Sequence, residues 1–159
     1  MRTSEGAGAL GSRGHAWVAI VDKKGNVTCV GFFPDTETTI TNKNPTADGT
    51  FGEESKNRFD VARAYELSEE EYGKLQKYLA KSKKSKDWKT YHVSTNNCTD
   101  YALKVMKKVN LDVEIEKEVI RFGVDADKPF GTNTPKKLGE LLERKQQGFR
   151  KSRIITEDE

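Results

Sequence analysis

The sequence predicts a single α+β domain, in which a small antiparallel sheet packs against amphipathic helices. Three observations predict it. Two β-prone runs flank a strong turn signal near the start, a Ser-x-x-Glu capping box opens a helical stretch in the middle, and a polar loop runs into a second amphipathic helix at Cys98. A chain of 159 residues is long enough for one real core and short for two.

The elements follow in order. Residues 1–13 are rich in Gly and Ser and read as a flexible leader. His15-Ala16-Trp17-Val18-Ala19-Ile20-Val21 is short, apolar and β-prone. It ends in Asp22-Lys23-Lys24-Gly25-Asn26, a turn, and Val27 to Phe33 follows as the second arm of a hairpin that Pro34 and Asp35 stop. Residues 36–58, with Thr, Asn, Gly and Lys and little periodicity, read as a long surface loop, of the kind that often covers a site. Val61 to Leu67 is a further strand. Ser68 and Glu71 open a helix through about Lys83, with Tyr72, Leu75, Tyr78 and Leu79 as its core stripe. The lysines 81, 83, 84 and 86 read as a solvated helix end.

Trp88 to Val93 is a short extended segment. A helix then starts at Cys98 with Tyr101, Ala102, Val105 and Met106 on one face, and Val113 to Phe122 is ambiguous between strand and helix. Thr134-Pro135 begins a last helix carrying Leu138, Leu141 and Leu142, since proline suits the first helical turn. Residues 14–145 thus form the domain, and 146–159 a charged, frayed tail.

Composition excludes several classes of function. The 28 basic and 25 acidic side chains nearly cancel, at a net charge of +3, so no one-sided basic surface marks a nucleic-acid binder. Two cysteines make no disulfide scaffold, and two Cys with two His supply too few ligands for a metal site, so neither metal nor cofactor is expected. No apolar run is long enough to span a membrane. The N-terminus lacks the apolar stretch of a secretory signal, so the chain is expected in the cytoplasm until delivered, with any export to a periplasm or target cell by a signal-independent route.

Two residues are candidates for chemistry. Cys98 falls where Thr95-Asn96-Asn97 turns into a helix, so its sulfur meets the helix dipole and unpaired N–H groups. Both favour a thiolate, and the same N–H groups can hold an oxyanion. The same position also suits an inert, buried cysteine capped by Asn97. His15 opens a strand after Gly14 and could serve a thiol as general base, or be a strand-end residue with no task. Cys29, in the middle of an apolar strand, reads as core.

Taken together, Ser12-Arg13-Gly14-His15-Ala16-Trp17-Val18-Ala19-Ile20, then Gly31-Phe32-Phe33-Pro34, then Tyr91-His92-Val93-Ser94-Thr95-Asn96-Asn97-Cys98-Thr99-Asp100-Tyr101-Ala102 resemble the papain-like thiol hydrolases of the NlpC and CHAP kind. The histidine strand precedes the cysteine helix, as in their circularly permuted branch, which includes toxin domains delivered by bacteria. The resemblance implies a papain-like fold with the nucleophilic Cys at the N-terminus of a helix packed on the sheet. It implies Cys98 as nucleophile and His15 as its base. A third, orienting residue is expected on the strand beside the histidine; the hairpin would place Phe33, Pro34 or Asp35 opposite His15, which makes Asp35 the candidate. His92, six residues before Cys98, stands about where such enzymes place a side-chain donor to the oxyanion, though it could equally be an exposed strand residue. The implied activity is hydrolysis of amide bonds in cell-wall peptide (peptidoglycan) by a secreted antagonism effector, with a cognate immunity protein as inhibitor. Two alternatives stay open: a deamidase, acyltransferase or protease acting on protein or lipid, and an inactive binding module on the same scaffold.

Overall fold

The computed structural model describes residues 2–4, 14–35, 40, 44–54, 59, 61–111, 115, 117–120, 130–144 and 152–155. In chain order its strands are β1 (Arg2–Ser4), β2 (His15–Val21), β3 (Val27–Pro34), β4 (Thr46–Gly52), β5 (Val61–Tyr65), β6 (Thr90–His92), β7 (Glu118–Ile120), β8 (Phe130–Thr132) and β9 (Ser152–Ile155). The helices are α1 (Glu69–Ser82), α2 (Cys98–Lys108) and α3 (Pro135–Glu143), with a single 3-10 turn at Lys86–Trp88. Seven strands make one antiparallel sheet in the order β6-β4-β3-β2-β1-β5-β9, and β7 pairs with β8 apart from it. The class is α+β, as the sequence predicts.

The hairpin closes as expected. Asp22 Oδ1 accepts the backbone N–H groups of Lys24 and Asn26, both at 2.8 Å, and Gly25 supplies the positive φ (+85°) that the turn needs. Trp17 then pairs with Gly31 and Val21 with Val27. Alternate residues of β2 serve two faces. Ala16, Val18 and Ile20 join the main core with Val30, Phe32, Leu75, Leu79, Tyr101, Val105, Met106, Leu138 and Leu142, while Trp17 joins Cys29, Phe59 and Ala62 in a second cluster.

Each helix begins on a designed stop. Ser68 and Glu71 form the capping box of α1, and the Thr134 side chain accepts the Lys137 N–H ahead of Pro135 in α3. Lys81, Lys83, Lys84 and Lys86 are exposed, as a solvated helix end requires. At the other end of α3 the buried Arg63 donates from Nε to Leu142 O (2.7 Å) and from Nη2 to Arg144 O (3.1 Å). A cation there complements the helix dipole and ties β5 to α3.

The structure differs from the sequence reading in three places. Residues 2–4, expected in a flexible leader, form β1 between β2 and β5, and residues 152–155, expected in a frayed tail, pair with β5. In both cases pairing with the main sheet stabilises segments whose own composition gives little signal. The loop expected over 36–58 contains β4, Thr46-Ala47-Asp48-Gly49-Thr50-Phe51-Gly52, which β-propensity does not favour. Its glycines answer to neighbours: a Cβ on Gly49 would meet the Phe32 ring at 2.5 Å and the Trp88 carbonyl oxygen at 2.6 Å. Val113 to Phe122 lies largely outside the described residues, and within it 118–120 is strand. Among the described residues no helix is long and apolar enough to cross a membrane.

Gly49→Ala is therefore expected to destabilise the domain by about 1–3 kcal/mol, the range for overpacking, because the Trp88 carbonyl is backbone and cannot turn aside. Urea unfolding followed by tryptophan fluorescence measures it.

Candidate active site

The site begins with the start of α2. Asn97 is its N-cap, buried to 4% exposure, and its side chain is fully used. Oδ1 accepts the N–H groups of Thr99 (2.9 Å) and Asp100 (3.0 Å). Nδ2 donates to Val93 O (3.0 Å) and Asn133 O (3.0 Å), with Thr132 Oγ1 at 3.3 Å. Asp100 returns the capping box by accepting the Asn97 N–H at 2.9 Å, and its other oxygen accepts from Asn133 Nδ2 at 2.7 Å. Thr132 Oγ1 closes the network on Ser94 O at 2.7 Å. The loop before the helix, the helix itself and the segment before α3 are thus held together by one satisfied polar cluster.

Cys98 is the first residue of α2, at 4% exposure. Four groups reach its sulfur or backbone: the His15 ring, the Ala16 backbone N–H, Thr99 Oγ1 at 4.0 Å, and the Tyr91 hydroxyl. Burial pushes the thiol up, but the hydrogen bond and charge of His15, the Ala16 N–H and Thr99 outweigh it, and the net effect lowers the Cys98 pKa below its ordinary 9.0. For His15, burial favours the neutral ring, and the neighbouring Cys98 and Glu54 overcome it, so the net effect raises the pKa above 6.5. Each partner therefore favours the other's charged form.

The second nitrogen of His15 is taken. Its Nε2 lies 3.0 Å from Oε1 of Glu54, a carboxylate whose side chain is 4% exposed against 23% for the imidazole. A carboxylate only accepts, so Nε2 carries the proton and Nδ1 is the nitrogen left for Cys98. Glu54 follows β4, two strands from His15, and the bond crosses β3 over Gly31. A Cβ at Gly31 would run into Glu54 Oε1 and stand 2.7 Å from His15 Nε2. The missing side chain is what lets acid and imidazole meet.

The structure brings Cys98 and His15 together, and the carboxylate it sets at the His15 ring is that of Glu54 and not of Asp35. The register continues to Phe33 opposite His15, while the Asp35 N–H turns toward β4 and bonds Asp48 O at 2.7 Å. The imidazole reaches back along β3 to Gly31, away from Asp35. His92 does not reach Cys98 either. Its Nδ1 accepts the Ser94 N–H (3.2 Å) and contacts Ser94 Oγ (2.8 Å), which folds the turn joining His92 to Asn96. The side chain beside Cys98 is its predecessor, Tyr91, toward whose hydroxyl the Cys98 backbone N–H is directed. Burial, and then the Cys98 charge, push the Tyr91 pKa up, so the phenol keeps its proton.

Sequence reasoning missed Glu54, Tyr91 and Gly31. Only the length of the unpatterned stretch around Glu54 hinted at a site. Cys29 is buried as expected. Among the described residues no three of His, Cys, Asp and Glu gather as metal ligands. No protein-family model matches the chain, and neither the curated proteins nor the solved structures contain a match.

Gly31→Ala is expected to separate Glu54 from His15 without unfolding the sheet. Loss of a charged hydrogen bond of about 1.5–3 kcal/mol corresponds to roughly a tenfold to hundredfold fall in the rate of Cys98 alkylation near pH 6. Iodoacetamide labelling read by intact mass measures it, with Cys29 as the internal reference.

Proposed function

We propose that the protein is a cysteine-dependent amide hydrolase of papain-like, permuted design. One observation carries this reading: a thiol at a helix N-terminus touches an imidazole whose far nitrogen is held by a buried carboxylate. A buried cysteine with only a packing role gains nothing from that arrangement, and a buried Glu54 would be costly without a cationic partner.

The reaction starts from the form in which Cys98 is thiolate and His15 imidazolium, the charged forms that each partner favours in the other. The sulfur attacks a substrate carbonyl carbon, and the carbonyl π electrons move onto oxygen. The Tyr91 O–H, whose oxygen accepts the Cys98 backbone N–H, is the donor for that oxyanion. Collapse of the intermediate breaks the C–N bond, and the His15 Nδ1 proton goes to the departing amine. Water then attacks the thioester, giving its proton to the now neutral His15, and the acid leaves as Cys98 thiolate re-forms. Glu54 keeps the ring oriented throughout.

The flanking segments that resemble the permuted thiol hydrolases supply the substrate class: amide bonds of cell-wall peptides, cut by an effector against which a cognate inhibitor protein would plug the cleft. Incubation with purified peptidoglycan should release peptide fragments with free amino and carboxyl ends, and Cys98→Ala should release none. A wild-type protein that releases nothing from peptidoglycan of any type would sink the wall substrate.

The pH dependence follows from the two directions. The lowered Cys98 pKa extends alkylation below pH 9, falling only once the thiolate is protonated. The raised His15 pKa carries the alkaline limb of hydrolysis above pH 6.5, beyond which the leaving group goes unprotonated. Glu54→Gln removes the charge that helps hold the imidazolium, so that alkaline limb should move to lower pH; an unmoved limb in kcat/KM against pH would contradict the assignment of Glu54.

A further inference from the structure

The ring face of His15 is occupied as well as its two nitrogens. Trp17, on the same side of β2, stacks on the imidazole with centroids 5.7 Å apart and planes 20° from parallel. From β3, Phe33 approaches at 5.7 Å and 53°. Trp17 is fully buried, and its Nε1–H is without a hydrogen-bond partner among the described residues. A stranded buried donor carries a desolvation cost that phenylalanine or leucine would avoid at this position. What the indole has and they lack is the strongest π face for a cation.

We propose that Trp17 is the positioning residue of the site: its indole face holds the His15 ring in the plane that joins Cys98 to Glu54, and favours the imidazolium over the neutral ring. This rests on the thiol–imidazole pair of the proposed function and adds to it a group that touches neither substrate nor sulfur. The titratable groups acting on His15 are Cys98 from α2 and Glu54 after β4. Cys29 of β3 packs with Trp17 in the second cluster. Both charged partners lie at the ring nitrogens, in the plane of the ring; the indole lies against its face.

The chain has two histidines, so their ring protons give a simple NMR titration in which His92 serves as reference. Trp17→Leu is expected to reduce proton affinity at His15 about threefold to thirtyfold, a midpoint shift of roughly a half to one and a half pH units, while leaving His92 in place. Trp17→Phe, which restores an aromatic face, should recover most of the shift. An unchanged His15 midpoint in either folded variant, Trp17→Leu above all, overturns the proposal. Should Trp17→Leu not fold, the intact protein still decides: the Trp17 Nε1–H resonance must move with the His15 titration, and a resonance that stays still overturns it equally. In the same series Cys98→Ala tests the pair itself. A His15 midpoint indifferent to Cys98 removes the proposed function and leaves the Trp17 effect to be read separately.

Discussion

The side chain of Asn97 is the interaction on which the remainder hangs. Helix N-termini leave backbone donors without partners, and a buried terminus must find them locally. Asn97 satisfies two such donors with one oxygen and uses its nitrogen to hold Val93 and Asn133, so the loop before α2, the helix start and the sequence-distant segment before α3 share one anchor. With that anchor in place α2 can point its first turn at β2. Its apolar face, with Tyr101, Ala102, Val105 and Met106 all buried, then docks against Ala16, Val18 and Ile20. The tyrosine also finds a buried partner, its hydroxyl 2.9 Å from Ser82 Oγ on α1, and burial pushes its pKa up to about 12. Position of the sulfur is thus a result of core packing as much as of anything at the sulfur itself.

Three titratable groups meet at one place in the interior. His15 and Cys98 are each disfavoured in their ionised forms by burial, and each becomes tolerable through its neighbours, Glu54 among them. One imidazolium between two anions leaves a net negative charge, which solvent and nearby dipoles offset. The helix N-terminus, the Ala16 N–H and the Thr99 hydroxyl are positioned to carry it on the sulfur side. Tyr91 keeps its proton beside the sulfur, which adds a donor and no further anion.

Much of the architecture was legible in the residues. The hairpin, the capping boxes at Ser68 and Asn97, and the Thr134-Pro135 start announce themselves because local hydrogen bonding sets them. The Cys98–His15 pairing was legible from its flanking contexts, since both residues sit at the ends of strongly patterned segments. Glu54 was hidden for the opposite reason. It follows a strand whose glycines are imposed by the rings of Phe32 and Phe33, so β4 lacks any pattern of its own and no register could be drawn for what comes after. Asp35 was chosen from adjacency along one hairpin, and the actual partner arrives across a neighbouring strand. His92 and Tyr91 differ by one position on a strand, and a single step reverses which side chain faces the sulfur. β1 and β9 carry no signal beyond a few residues each and owe their form to tertiary pairing.

The absent side chain at Gly31 has an evolutionary consequence. Positions 15 and 31 lie on neighbouring strands and 54 just beyond a third, and the side chains of 15 and 54 meet in the space above residue 31. A change at 31 that is harmless to the sheet is harmful to the pair, and its effect depends on the length of the acid at 54. Substitutions at these positions are therefore coupled and cannot be scored one at a time. Any lineage that fills position 31 has to shorten the acid, recruit another orienting group from elsewhere in the chain, or give up the chemistry while keeping the fold.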